Sequence, residues 1–78
     1  MIKDKILLDK LEHYDNESIA KLIDNNIKGR HAERNRKILK RRIIDGICYE
    51  PLSEEFDLSV RQTQNIVYKE IQRLLSIL

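Results

Sequence analysis

The stretch SVRQTQN, Ser59 to Asn65, places Arg61, Gln62, Gln64 and Asn65 beside one another, four side chains with forked hydrogen-bonding ends. An arginine can fork onto O6 and N7 of guanine, and an asparagine or glutamine onto N6 and N7 of adenine. Each good pair gives about 1–3 kcal/mol of discrimination between bases. A purely structural helix rarely needs so many such groups, so the chemistry on offer is the reading of base-pair edges.

Other chemistries find less support. Cys48 is the single cysteine, so neither an internal disulfide nor a CxxC metal site can form, and a reducing, cytoplasmic setting is expected. His13 and His31 stand 18 residues apart with no second ligand at metal spacing, so neither metal nor cofactor is expected. Acidic residues are plentiful, but none is flanked by a nucleophile, a glycine-rich loop or a catalytic elbow. The chain does not read as an enzyme. No apolar run approaches the roughly 20 residues of a membrane span, and MIKDKILLDK alternates charge with aliphatics where a signal peptide needs an apolar core.

The formal net charge of +2 hides a partition along the chain. Residues 1–28 carry five Lys and six acids, and residues 29–45 carry seven Lys or Arg and two acids. Residues 46–58 carry four acids and no base, and residues 59–78 carry three bases and one acid. Lys37, Lys40, Arg41 and Arg42 therefore form a basic segment able to meet phosphates while the forked residues read bases. Glu50, Glu54, Glu55 and Asp57 must then point away from nucleic acid.

The elements that must position these groups are helical. With 41% hydrophobic and 36% charged residues and only two Gly and one Pro, the 78-residue chain reads as one small all-α domain of about five helices. Ile2, Ile6, Leu7, Leu11 and Tyr14 predict a first helix from Ile2 to Tyr14. Asp15 or Asn16 caps a second, with Ile19, Leu22, Ile23 and Ile27 on one stripe, Lys28 in its last turn and Gly29 just beyond. A third runs from about His31 to Asp45 and closes at Gly46; Ile38 and Ile44 lie off its Leu39/Ile43 face, as in a helix packed from more than one side. A short fourth, Tyr49 to Phe56, tolerates Pro51 in its first turn. Ser59 caps a long fifth, whose stripe of Val60, Thr63, Ile66, Val67, Ile71, Leu74, Leu75 and Leu78 reaches the C-terminus. Residues 1–30 are expected to pack on or extend a DNA-binding unit formed by residues 31–78.

The fourth and fifth helices fit a helix-turn-helix, whose second helix lies in the major groove with its N-terminal residues at the base edges. Leu52 and Phe56 fix the inner face, Leu58 plugs the turn, Ile66 holds the second helix, and the small Ser53 lets the two approach. Placing Ile66 inward puts Arg61 and Asn65 outward, flanked by Gln62, Gln64 and Lys69. Tyr49 is a candidate phosphate donor, Tyr68 sits at the same edge or packs, and Tyr14 is structural.

From NRKILKRRIIDGICYEPLSEEFDLSVRQTQNIVYKEIQRLL, and above all from SEEFDLSVRQTQNIVYKEIQRL, the chain resembles the promoter-reading region 4 of bacterial primary-type sigma factors. It is especially similar to small sigma region 4-like proteins of phages and mobile elements in Gram-positive bacteria. The resemblance spans roughly residues 31–75. It implies that Ser59 caps the recognition helix at the DNA backbone, that Val60, Arg61, Gln64 and Asn65 occupy base-reading positions, and that Gln62 and Lys69 lie near phosphates. Asp57 stands where many such units carry Gly, Thr63 where Ile or Val is usual, and Val60 and Gln64 where primary sigma factors carry Arg. Asp tolerates turn geometry and Thr is β-branched, so the fold is expected to survive, but not the usual promoter −35 sequence preference.

At 78 residues, the sigma region that melts promoter DNA and grips the polymerase core is not expected in this chain. A stand-alone transcriptional regulator of double-stranded DNA is therefore expected. The alternative is a protein-interaction module that docks on RNA polymerase or another regulator. Val60, Val67, Leu74, Ile71 and Leu78 approximate a heptad; packing back onto the N-terminal helices is the favoured account, and the alternative is a homodimer seam matched to a palindromic site.

Overall fold

Apolar residues recurring at helical spacing organise the chain into α1 (Ile2–Lys10), α2 (Asn16–Asn26), α3 (Ala32–Ile43), α4 (Tyr49–Glu55) and α5 (Val60–Leu75), with no strand among the described residues. The computed structural model describes residues 2–78, with side chains from residue 5 onward. Ile2, assigned above to the apolar face of the first helix, thus lies outside the described side chains. No helix among the described residues is long and apolar enough to cross a membrane.

One core joins all five helices. Leu7 and Leu11, then Ile19, Ile23 and Ile27, then Ile38, Leu39 and Ile43 bury together with Leu52 of α4 and with Val67, Ile71 and Leu74 of α5. The central element is α5, which packs on α1, α2, α3 and α4. Burial on this scale is what makes a 78-residue chain foldable, because each fully buried Leu or Ile contributes about 1.5–3 kcal/mol. The N-terminal segment is part of that core.

Helices end earlier than the sequence expectation: α3 stops at Ile43, α4 at Glu55 and α5 at Leu75, and α1 and α2 also stop short. α1 stops at Lys10, and Leu11 to Tyr14 continue in turns, with the Tyr14 N–H donating to the Leu11 carbonyl at 2.9 Å. Beyond these turns Asp15, the N-cap of α2, is extended (φ −79°, ψ 169°), and its carboxylate accepts from the Ser18 N–H at 2.7 Å. Among the described side chains of α1 only Leu7 is buried; Ile6 and Leu8 stay exposed, as does Tyr14 beyond it. α2 ends at Asn26, so Lys28 falls outside its last turn. Ile27 leaves the helix with ψ 110°, its side chain fully buried, and Arg36 Nε donates to its carbonyl at 2.8 Å.

α3 is buried on more than one side, as Ile38 and Ile44 suggested, and packs on α2, α4 and α5. Gly46 takes φ +69° just beyond its end, a left-handed conformation that glycine adopts without steric cost.

Candidate nucleic-acid interface

The connection between α4 and α5 is set by its backbone hydrogen bonds. The Asp57 N–H donates to the Glu54 carbonyl at 3.2 Å and the Leu58 N–H to the Ser53 carbonyl at 2.9 Å. This paired closure of a helix end requires a left-handed residue at its first non-helical position. Asp57 supplies it at φ +56°, the only non-glycine residue with positive φ among those described. Leu58 then packs half-buried against the core that contains Leu52. Ser53 is buried, its hydroxyl donating to the Glu50 carbonyl at 2.7 Å, and this leaves α5 free to approach α4.

α5 begins with a reciprocal cap. Ser59 Oγ accepts from the Gln62 N–H at 3.0 Å, and the Gln62 side-chain oxygen accepts from the Ser59 N–H at 2.9 Å. The carbonyl end of Gln62, expected near a phosphate, is therefore occupied within the chain, and its amide nitrogen remains available. Thr63 is fully buried and its hydroxyl donates to the Ser59 carbonyl at 3.0 Å, which suits the position as a branched apolar residue would while satisfying its own polar atom.

With Thr63, Val67, Glu70, Ile71 and Leu74 inward, the opposite face of α5 carries Arg61, Asn65 and Lys69, all exposed and spaced one turn apart. Gln62 lies exposed beside them, Val60 is exposed at the helix start, and Gln64 is half-buried on the flank. The four base-reading candidates thus belong to the first two turns of one helix, with Arg61 and Asn65 facing outward together.

The basic residues of α3 are differently placed. Lys40 Nζ lies 2.7 Å from Asp24 of α2, and Lys37 lies 3.6 Å from Glu33. Arg41 forks onto Glu55 of α4, with Nε at 3.1 Å from both carboxylate oxygens, and reaches Asp45 at 2.9 Å. Those hydrogen bonds hold the Arg41 guanidinium above its ordinary pKa. Arg42 donates to the Ile47 carbonyl at 3.0 Å and lies over the Tyr49 ring, 4.4 Å from its centroid. All four cations expected to meet phosphates are engaged within the fold, three of them with carboxylates. Glu55, expected to point away from nucleic acid, is held against α3 by Arg41.

Two cross-links hold α5 where this face stands out. The Tyr49 and Tyr68 rings meet edge to face at 6.2 Å, so Arg42, Tyr49 and Tyr68 link α3, α4 and α5 in one column. The second was not foreseen from the sequence. Glu70 is only 2% exposed; its Oε2 accepts from Asn35 Nδ2 at 3.0 Å, and its Oε1 lies 3.4 Å from Arg73 Nε. Arg73 goes on to donate to the Lys28 carbonyl at 2.9 Å, and Arg34 donates to Asn35 Oδ1 at 3.1 Å. The available signal was a glutamate on the apolar stripe of α5, seven residues after Thr63 and four before Leu74.

Comparison with family models, with curated proteins and with solved structures finds no match to this chain. The heptad-like residues of α5 are largely used by the core, since Val67, Ile71 and Leu74 are fully buried, leaving Val60 and Leu78 exposed.

Proposed function

We propose that this chain is a sequence-specific double-stranded DNA-binding regulator of transcription, cytoplasmic in setting, with α4 and α5 acting as a sigma region 4-like helix-turn-helix and α5 as the recognition helix. The observation that carries this reading is the outward face of α5. Arg61 and Asn65, the two residue types best able to fork onto guanine and adenine, are exposed one turn apart in the first half of a capped helix. Val60 and Gln64 extend the reading surface. In this reading Lys69, Ser59, Gln62 and Tyr49 meet backbone phosphates, and Asp57 shapes the turn between α4 and α5. No cofactor enters the scheme.

The cations of α3 act in this reading as exchangeable pairs. A phosphate that draws Lys40 from Asp24 or Arg41 from Glu55 replaces one anionic partner by another, so their contribution is small and steepens the salt dependence. The same pairing favours the second reading, docking on RNA polymerase or another regulator with DNA contact secondary, because α3 then has less to offer phosphates.

The test is selection of bound duplexes from a random pool with the purified chain at near-physiological salt. A single enriched motif is expected; a palindromic motif would indicate two copies on one site. No enrichment at any salt at which the chain still binds DNA would refute sequence reading by α5.

A further inference from the structure

Two depressions meet at Phe56, the residue that closes α4. One, of about 390 Å³, is lined by Arg30, His31, Glu33, Arg34 and Lys37 together with the Phe56 ring. The other, of about 310 Å³, continues past Phe56 between Lys37, Lys40, Arg41 and Glu55. Sharing Lys37 and Phe56, they form one trough along α3. Half-buried Phe56 is its one apolar lining residue among those described, and the long basic side chains around it carry aliphatic stems.

The rim is cationic. Five Lys and Arg side chains line the trough; Lys37 is tied to Glu33, Lys40 to Asp24, and Arg41 to Glu55 and Asp45, so the uncommitted charge is that of Arg30 and Arg34. Two cations keep donors to offer: Arg30 makes no ion pair or hydrogen bond among the described residues, and Arg34 commits only Nε, to Asn35. The lining comes from the turn before α3, from α3 and from the end of α4, and includes no residue of α5.

We infer that this trough is a docking surface for an acidic amphipathic segment of a partner protein. One apolar side chain covers Phe56, and carboxylates spaced along the segment meet Arg30 and Arg34. Charge complementarity selects an anionic occupant, and Phe56 selects one with an apolar side, which a phosphate backbone lacks. The reading does not depend on DNA recognition by α5. Because the lining excludes α5, the chain can hold such a partner with Arg61 and Asn65 still outward.

Amide chemical shifts of the isotopically labelled full chain test the inference. The probe is a short synthetic peptide with Asp and Glu interleaved with Leu at helical spacing, and its control carries Asn and Gln in place of the acids. The expected result is saturable shifts over residues 30–37 and at Phe56 with the acidic peptide only, with binding weakened on the order of tenfold by R30E. Arg30 is exposed, and an otherwise unchanged spectrum verifies that R30E folds. Three outcomes would overturn the proposal: no shifts in the trough, shifts confined to the outward face of α5, or equal binding of acidic and neutral peptides. A separate titration with duplex DNA reads Arg61 and Asn65. If duplex moves the trough amides and the peptide does not, the trough is a phosphate site, and the partner-protein inference fails whatever becomes of base reading.

Discussion

Replacing Asn35 by Ala should destabilise the fold by about 2 kcal/mol through the buried carboxylate that it serves. Glu70 is 2% exposed and accepts one short hydrogen bond, from Asn35 at 3.0 Å, while Arg73 stands at 3.4 Å from its other oxygen. A hydrogen bond to a charged acceptor contributes about 1.5–3 kcal/mol net. The 3–5 kcal/mol typical of stranding a buried charge is about the upper bound, and it should not be reached because Arg73 stays in place and is itself partly exposed. In a domain of this size about 2 kcal/mol corresponds to a fall in Tm of roughly 8–16 °C. The assay is urea unfolding followed by circular dichroism, with an unchanged denaturant slope verifying that the unfolding transition is the same. A double-mutant cycle with Glu70→Gln isolates the charge, and Asn35→Ala should cost about 1 kcal/mol less in that background. A cost below about 0.5 kcal/mol for Asn35→Ala, or an equal cost in both backgrounds, would refute the assignment of this network as the clamp between α3 and α5.

Arg61→Ala and Asn65→Ala should each relax base preference at a single position of the selected site, at about 1–3 kcal/mol of lost discrimination, with stability unchanged because both residues are exposed; selection profiles of the variants would show it. Asp57→Gly should stabilise the chain by up to about 1 kcal/mol, since glycine takes the positive φ of 56° at less cost, whereas a β-branched residue there should destabilise it; thermal melts decide. Asp15 is held below the ordinary carboxylate pKa, first by the Ser18 backbone N–H it accepts from and then by the Ser18 side chain. Its stabilisation of α2 should therefore be complete above the unfolded-state value and be lost as pH falls through the lower folded-state value. An acid titration of helicity that is the same for Asp15→Asn would contradict this. Neutralising Lys40 and Arg41 together should weaken binding to all duplexes alike and flatten its salt dependence, read from binding isotherms at several salt concentrations.

Much of the scaffold could be read directly from residue types and spacing. Helical periodicity located all five elements, and the caps at Asp15 and Ser59 were legible because their side chains act on backbone three residues away. Asp57 was also legible as a turn residue, and its positive φ is the physical content of that expectation. Helix ends were less legible. α1 stops at Lys10 and α2 at Asn26, short of where their apolar periodicity runs, because helix ends also answer to packing against residues distant in the chain.

By itself the sequence determined the all-helical class, the elements and the outward set of forked residues on α5, because these follow from local periodicity and local hydrogen bonding. Only the tertiary structure decided which charges are spoken for. Arg41 with Glu55, Lys40 with Asp24 and Asn35 with Glu70 are pairs formed across 14, 16 and 35 residues of chain. No spacing rule reaches that far, and the packing that brings such partners together also makes the basic trough over Phe56 a surface that no single segment contains.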